Sequence, residues 1–247
     1  MFNTFNFYHI FLFFILYSCI GWIIEVVYHI FILKKFINRG FLFGPICPIY
    51  GSGAVLMILF LTPLKNNLLY LFLGGIVVAT ILEYITGYVL ELVFDTKWWD
   101  YSEEKFNIKG YVCLRFSLAW GIASVILMYV IHPIMEYVVY SIPASLLSPL
   151  YNILLIFFVI DLTLTINSLI EFRKVLKELV NIREELNKKI RSREGILKGR
   201  AETVYLKLKR RHIRLLKAYP HLTTGRLSHV IEEIKNKRDL IRKELHK

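Results

Sequence analysis

The chain has 247 residues, 56% of them hydrophobic and 15% aromatic, and its mean hydropathy is +0.51. A soluble domain of that length must cover its surface with more polar side chains, so composition excludes one and points to a membrane protein. The formal net charge of +12 is confined to one end: Glu171 to Lys247 hold 23 Lys and Arg against 10 Asp and Glu, and the first 170 residues hold 8 against 9. The expected organisation is an apolar transmembrane domain, 1–170, followed by a basic helical tail, 171–247.

A spanning helix needs about 20 apolar residues. Five stretches meet that requirement: Phe5 to Leu33, Pro45 to Leu64, Leu68 to Phe94, Gly110 to His132, and Pro149 to Ile170. The predicted fold class is therefore all-α, a polytopic membrane bundle of five helices. Its first helix has neither a basic start nor a small-residue cleavage site, so it is expected to be retained. Cys19, Cys47 and Cys113 are odd in number and lie in or beside apolar runs, which argues for core residues rather than a disulfide framework.

Orientation follows from the connections. Lys34, Lys35 and Arg39 follow the first helix and Lys97, Lys105 and Lys109 the third, whereas the other two connections hold only Lys65. The positive-inside rule then places the N-terminus outside and the C-terminus in the cytoplasm of a cell-membrane protein. Pro133 to Ser148, with prolines at 133 and 143, is expected to be an outer loop or short interfacial helix. From Glu171 the pattern changes to a charged helix. Phe172, Val175, Leu179, Ile182 and Leu186 form a narrow coiled-coil seam, interrupted at Gly195 and Gly199. Further helices are predicted around Leu197 to Leu215 and Leu227 to Ile241.

Part of the punctuation recurs. Gly21, Trp22 and Glu25 are answered by Gly87, Tyr88 and Glu91, 66 positions on, and the Arg39-Gly40 and Tyr50-Gly51 pairs by Lys109-Gly110 and Trp120-Gly121, 70 positions on. This spacing predicts a tandem repeat, each copy a long helix bearing one glutamate, a basic connection and a second helix entered through glycine.

Ionisable groups inside spans carry the most information, because each costs about 2.5 to 3.5 kcal/mol at a helix centre. Glu25, Glu83, Glu91, Arg115 and Asp161 form the candidate polar membrane cluster. Arg115 is expected to pair with Glu91 or Glu83. Glu25, with no arginine evident nearby, is the stronger candidate for proton transfer. A second candidate site lies in the cytoplasmic connections, at Asn38, Arg39, Gly40, Gly44, Trp99, Asp100 and Asn107. The free amides around Gly44 and Pro45, beside Arg39, could face an anion. Trp98, Trp99 and Tyr101 are read as an interfacial aromatic belt, Asp100 and Asn107 as helix caps, and His9, His29 and His132 as interfacial residues.

With these motifs on the page, the chain resembles the type IV ABC-transporter permease family of CmpB-type bacterial multi-pass membrane proteins. The resemblance is carried by Gly21, Trp22 and Glu25; Asn38 to Gly40; Gly44 and Pro45; Pro48 to Gly51; Glu83, Tyr84 and Gly87; Glu91; Trp98 to Tyr101; Phe106, Asn107 and Gly110; and Trp120 with Gly121. It covers about Gly21 to Gly121 and implies a permease-like role, without assigning a substrate or functional residues.

The favoured reading is a permease-like membrane protein, the membrane subunit of a transporter for an ion or small polar solute. No G-x-x-x-x-G-K-[ST] loop occurs, so a separate ATPase subunit would have to supply the nucleotide site. The alternative is a non-transporting scaffold or regulator whose basic coiled-coil tail meets a cytoplasmic partner or anionic lipid. No enzyme activity is expected, nor a metal or other cofactor, because no His or Cys cluster has ligand spacing and no nucleophile sits beside a base. Small residues such as Gly74, Gly75, Gly121 and Ser124 permit close helix approach, and the narrow pore of five helices suggests a homo-oligomer. Nucleic acid is disfavoured as a partner, since the charge comes without a recognition motif.

Overall fold

In this computed structural model residues 6–34, 36–94 and 97–187 are described, together with His212 and Arg214. In chain order they form α1 (Phe7–Leu33), α2 (Pro48–Leu61) with a 3-10 turn (Thr62–Leu64), α3 (Leu68–Phe94), β1 (Asn107–Ile108), β2 (Val112–Cys113), α4 (Leu114–Ile126), a π-helical turn (Leu127–Ile131), α5 (His132–Tyr140) and α6 (Ala144–Asn187). Local chemistry sets several of these limits. Lys34 adopts the left-handed conformation, φ 50°, and returns its N–H to Ile30, ending α1. Pro48 opens α2, where a missing N–H costs nothing. Asn67 accepts hydrogen bonds from the amides of Leu69 and Tyr70 at 3.0 and 3.1 Å, capping α3.

Four helices are long and apolar enough to cross a membrane: Phe7–Ile32, Leu68–Phe94, Leu114–Tyr140 and Ala144–Glu178. The second of the five expected spans is shorter, an apolar helix over Pro48–Leu64. Of the loop or short helix expected after His132, the structure has helix, α5, which directly continues the run of α4. Pro133 lies in the first turn of α5, immediately after the π-helical turn. The wide turn has already shifted the hydrogen-bond ladder there, so the missing proline N–H does not end the run. Only Ser141 to Pro143 separate α5 from α6, and α6 takes Pro149 inside its first turns.

Two compact units divide the chain: Met1–Tyr88 with Tyr101–Thr165, and Val89–Asp100 with Ile166–Lys247. The first holds the main core, in which Leu12, Phe13 and Tyr17 of α1 meet Ala54, Met57, Ile58 and Leu61 of α2, with Leu71 and Ala79 of α3, Met128 and Val139. Tyr17 and His132 share a buried hydrogen bond of 3.0 Å, and His9 packs on Tyr140. Both histidines are buried in the bundle rather than displayed at an interface, because each ring has an aromatic partner that accepts its burial.

Contacts in the first unit correspond between two helix pairs, in a register different from the one the expected repeat predicts. Gly51 of α2 packs against Phe14 and Ser18, and Gly121 of α4 against Phe72 and Ile76. Phe14 and Phe72, and likewise Ser18 and Ile76, are 58 positions apart, the glycines 70. Polar groups repeat the relation: Tyr50 donates to Glu25 and Trp120 lies beside Glu83. Glu83, not Glu91, is therefore the counterpart of Glu25. The two copies are antiparallel helix pairs, α1 with α2 and α3 with α4, running in the same sense.

Both connections fold back along the helix they leave. At Gly40 a Cβ would fall 2.9 Å from the Trp22 ring, and the Cys47 amide donates to the Ser18 carbonyl at 3.1 Å. Ser18 lies about 22 Å before the end of α1, at 1.5 Å per residue, so α2 starts well inside the bundle; this is why it is short. In the second copy Tyr111 packs edge-on against Tyr84 and Tyr88, and Thr80 donates to Ser117 at 2.8 Å. The second connection is tied as a β-hairpin, Asn107 opposite Cys113 and Ile108 opposite Val112, turned through Lys109 and Gly110 at φ 53° and 75°. Asn107 does not cap a helix: its side-chain amide donates to the carbonyls of Ser102 and Glu104, and its oxygen accepts from Gly110.

In the second unit Arg173 donates to the Val93 carbonyl at 2.7 Å, Phe94 meets Trp98 edge-on, and Phe172, Val175 and Leu176 are buried. Helix α6 runs to Asn187, so the charged helix expected from Glu171 starts in continuity with the last long apolar helix. Gly195, Gly199 and the later tail helices lie outside the described residues.

Candidate functional site

Glu25 is surrounded by donors from three directions. The Tyr50 hydroxyl donates to its Oε1 at 2.5 Å, and Arg39 Nε stands 3.3 Å from its Oε2. Arg39 Nη1 also meets His29 Nε2 at 2.8 Å, while His29 Nδ1 meets the Glu25 carbonyl at 2.9 Å. A carbonyl can only accept and a guanidinium can only donate, so this geometry puts the imidazole proton on Nδ1. Glu25 therefore has an arginine partner, contrary to the sequence expectation. The pairing depends on the first connection folding back, which linear spacing does not reveal.

Two side chains fix that connection. Asn38 accepts from the Trp22 indole at 2.8 Å and from the Gly40 amide at 2.9 Å, and donates to the Phe43 carbonyl at 2.9 Å. Asp161, from α6, accepts from the Phe43 and Gly44 amides at 2.9 and 2.8 Å. Free amides facing an anion were expected near Gly44, and the anion they meet is the protein's own carboxylate. A Cβ at Gly44 would fall 2.8 Å from Asp161 Oδ2, so glycine is required for this approach. Irregular backbone among spans is stable only when buried in protein or lining a cavity; here Asn38 and Asp161 satisfy it.

Glu83, 8% exposed, accepts from the Tyr101 hydroxyl at 3.2 Å, with the Trp120 indole close by. Its Oε2 is buried with no hydrogen-bond partner. Tyr101 thus belongs to the site rather than to an aromatic belt, and Trp98 is buried as well. Burial pushes the Tyr101 phenol well above its usual range, and the charges of Glu83 and Glu25 act in the same direction; Tyr101 stays a donor at physiological pH. Arg115 does not meet Glu83. Its side chain is 73% exposed and reaches Glu104 at 3.3 Å, because position 115 opens α4 on the solvent side of the hairpin. The Tyr50 and Trp120 rings meet edge to face, 5.9 Å between centroids, and so join the Glu25 and Glu83 halves.

Of the other predicted residues, Glu91, Trp99 and Asp100 belong to the second unit, where Asp100 pairs with Lys97 at 3.7 Å. Among the described residues no three His, Cys, Asp or Glu side chains are grouped to hold a metal.

A family model described as "Putative ABC-transporter type IV" (ABC_trans_CmpB) matches residues 12–166. The chain belongs to this family. No curated protein and no solved structure matches it. The matched span of this CmpB-type chain takes in Glu25, Arg39, Tyr50, Glu83, Tyr101, Trp120 and Asp161, and ends before the basic region. It reaches beyond the Gly21 to Gly121 stretch that carries the sequence resemblance. In the sequence Tyr50 and Trp120 stood out only as repeat markers and as part of the family resemblance. The signal for more was that both carry a polar hydrogen and both precede the glycine on which the helix pair closes.

Proposed function

We propose that this CmpB-type protein is a permease-like membrane component in which Glu25 and Glu83, one from each repeat, form the working site for an ion or small polar solute. One observation carries the reading: two carboxylates in equivalent positions are linked through Tyr50 and Trp120 inside an apolar bundle, where burying either is costly. The irregular connections that fold back beside them support it, since transporters build such sites from interrupted helices. In this reading α2, about 25 Å long with its 3-10 turn, serves as a fifth crossing, and the two basic connections face the cytoplasm. Energy from ATP comes through a separate ATPase chain.

The test is co-purification after crosslinking in membranes, followed by reconstitution with the captured ATPase and measurement of ATP-dependent flux of labelled ions and small solutes. Flux that disappears with Glu83→Gln is expected; absence of an ATPase partner, or flux unchanged by the substitution, contradicts the reading. A second reading, a scaffold that presents its basic region to a cytoplasmic partner, draws on the unbroken course of α6 from the last span to Asn187. Truncation at Glu171 separates the two, because a scaffold loses all function and a permease keeps flux.

A further inference from the structure

The two repeats agree in carboxylate and donor but differ in charge. In the first, Glu25 meets Tyr50 from the paired helix and Arg39 from the connection, 3.3 Å away. In the second, Glu83 meets Trp120 from the paired helix and Tyr101 from the connection. Among the described residues no lysine, arginine or histidine lies within ion-pair range of Glu83. Lys109, the sequence counterpart of Arg39, is exposed on the hairpin turn. Yet Glu83 is the more deeply buried of the two, and one of its oxygens has no hydrogen-bond partner. A carboxylate buried with neither a counter-charge nor a full set of donors calls for a compensating group.

We propose that Glu83 binds a monovalent cation, which does for the second repeat what Arg39 does for the first. Charge balance sets the valence. Glu25 is matched by Arg39 and Asp161 is turned to the Phe43 and Gly44 amides, which leaves Glu83 as a single negative charge to be matched. A divalent ion of the calcium type takes six to eight oxygen ligands, and among the described residues no three His, Cys, Asp or Glu side chains are grouped to hold one. The groups facing Glu83 are neutral: the Trp120 indole of α4 and the Tyr101 phenol of the connection, with the Tyr50 ring of α2 against Trp120. A phenol oxygen can ligate an alkali ion, and aromatic faces attract an ammonium. The chemistry is that of Na⁺, K⁺ or a small primary ammonium. This inference rests on reading the carboxylate pair as the working site.

Thermal unfolding of the purified full chain in lipid nanodiscs tests it, with N-methylglucamine chloride as the constant background and NaCl, KCl or methylammonium chloride exchanged in at fixed ionic strength. At least one of the three is expected to raise the unfolding midpoint saturably, and the three arms separate an alkali ion from an ammonium. The response should persist in Arg115→Gln, which alters only the exposed Glu104 pair, and vanish in Glu83→Gln. Tyr101→Phe, a gentler change, should raise the half-saturating concentration about tenfold, the equivalent of one hydrogen bond to a charged group. A wild-type midpoint indifferent to all three salts overturns the proposal whether or not the variants fold. So does an unchanged response in Glu83→Gln. If wild type is indifferent and Glu83→Gln is equally stable, a proton satisfies the orphan oxygen instead. Because this assay reads binding and the reconstituted flux reads transport, loss of the cation response with flux intact overturns the cation site alone.

Discussion

Side-chain contacts at Glu25, Glu83 and Asp161 decide whether the irregular backbone can stay inside the bundle. Replacing Tyr50 by Phe leaves Glu25 without its closest donor, which is expected to cost about 1.5 to 3 kcal/mol, the range for hydrogen bonds to charged groups; the unfolding midpoint in detergent measures it. Asp161→Ala removes the acceptor for both the Phe43 and Gly44 amides, so the first connection should loosen. Cys47, buried beside it, is then expected to react with a maleimide faster than in wild type, and Asp161→Asn, which keeps one acceptor, should fall between. An unaltered Cys47 rate would show that Asp161 does not hold the connection. The acidic residues were legible in the sequence because a charge in a span is costly whatever surrounds it. Tyr50, Tyr101 and Trp120 were not, because aromatic side chains are common in membrane helices and their polar hydrogens become informative only when a carboxylate is seen opposite them. The Arg39 partner of Glu25 was hidden for a related reason: fourteen positions along a straight helix would separate the two, and only the returning connection brings them together.

At the level of helix pairs, glycines mark the places of closest approach. A Cβ at Gly21 would strike the Tyr50 ring, and one at Gly51 the Phe14 backbone and Ser18. Gly21→Leu is therefore expected to destabilise the chain by about 1 to 3 kcal/mol through overpacking. At Gly53 a Cβ meets only the end of the Leu82 side chain, at 3.2 Å, and Gly53→Ala should cost about 1 kcal/mol or less. A paired comparison of unfolding midpoints checks the contrast, and equal losses contradict the packing described. The correspondence with Tyr50 at Glu25 also predicts that Trp120→Tyr, which keeps a polar hydrogen near Glu83, retains more stability than Trp120→Phe. Glycine and aromatic spacing suggested two copies, but not the register in which their helices pack. Matching glycine to glycine pairs Gly21 with Gly87 and Glu25 with Glu91, whereas packing pairs Phe14 with Phe72 and Ser18 with Ile76, and so Glu25 with Glu83. Two glutamates eight residues apart on α3 fit the pattern nearly as well as each other, and only the facing helix distinguishes them. Helix limits were misread where proline occurs, since Pro133 and Pro149 lie in helical runs that tolerate them.

For the whole molecule, the family match and the four long apolar helices agree on a membrane protein, and its two helix pairs meet through Tyr50 and Trp120 beside Glu25 and Glu83. Composition alone was enough for the first statement. The second needs the fold, because the contact between Tyr50 and Trp120 joins positions 70 apart. Crosslinking by a short bismaleimide in native membranes tests that contact most directly, with Tyr50→Cys and Trp120→Cys introduced together after the three native cysteines are replaced by serine or alanine. The rings meet at 5.9 Å between centroids, so the structure predicts efficient intramolecular crosslinking of this pair by the reagent, and none when Phe60→Cys, on the exposed face of α2, takes the place of Tyr50→Cys. A pair that stays uncrosslinked while both thiols remain reactive would contradict a shared site formed by the two repeats.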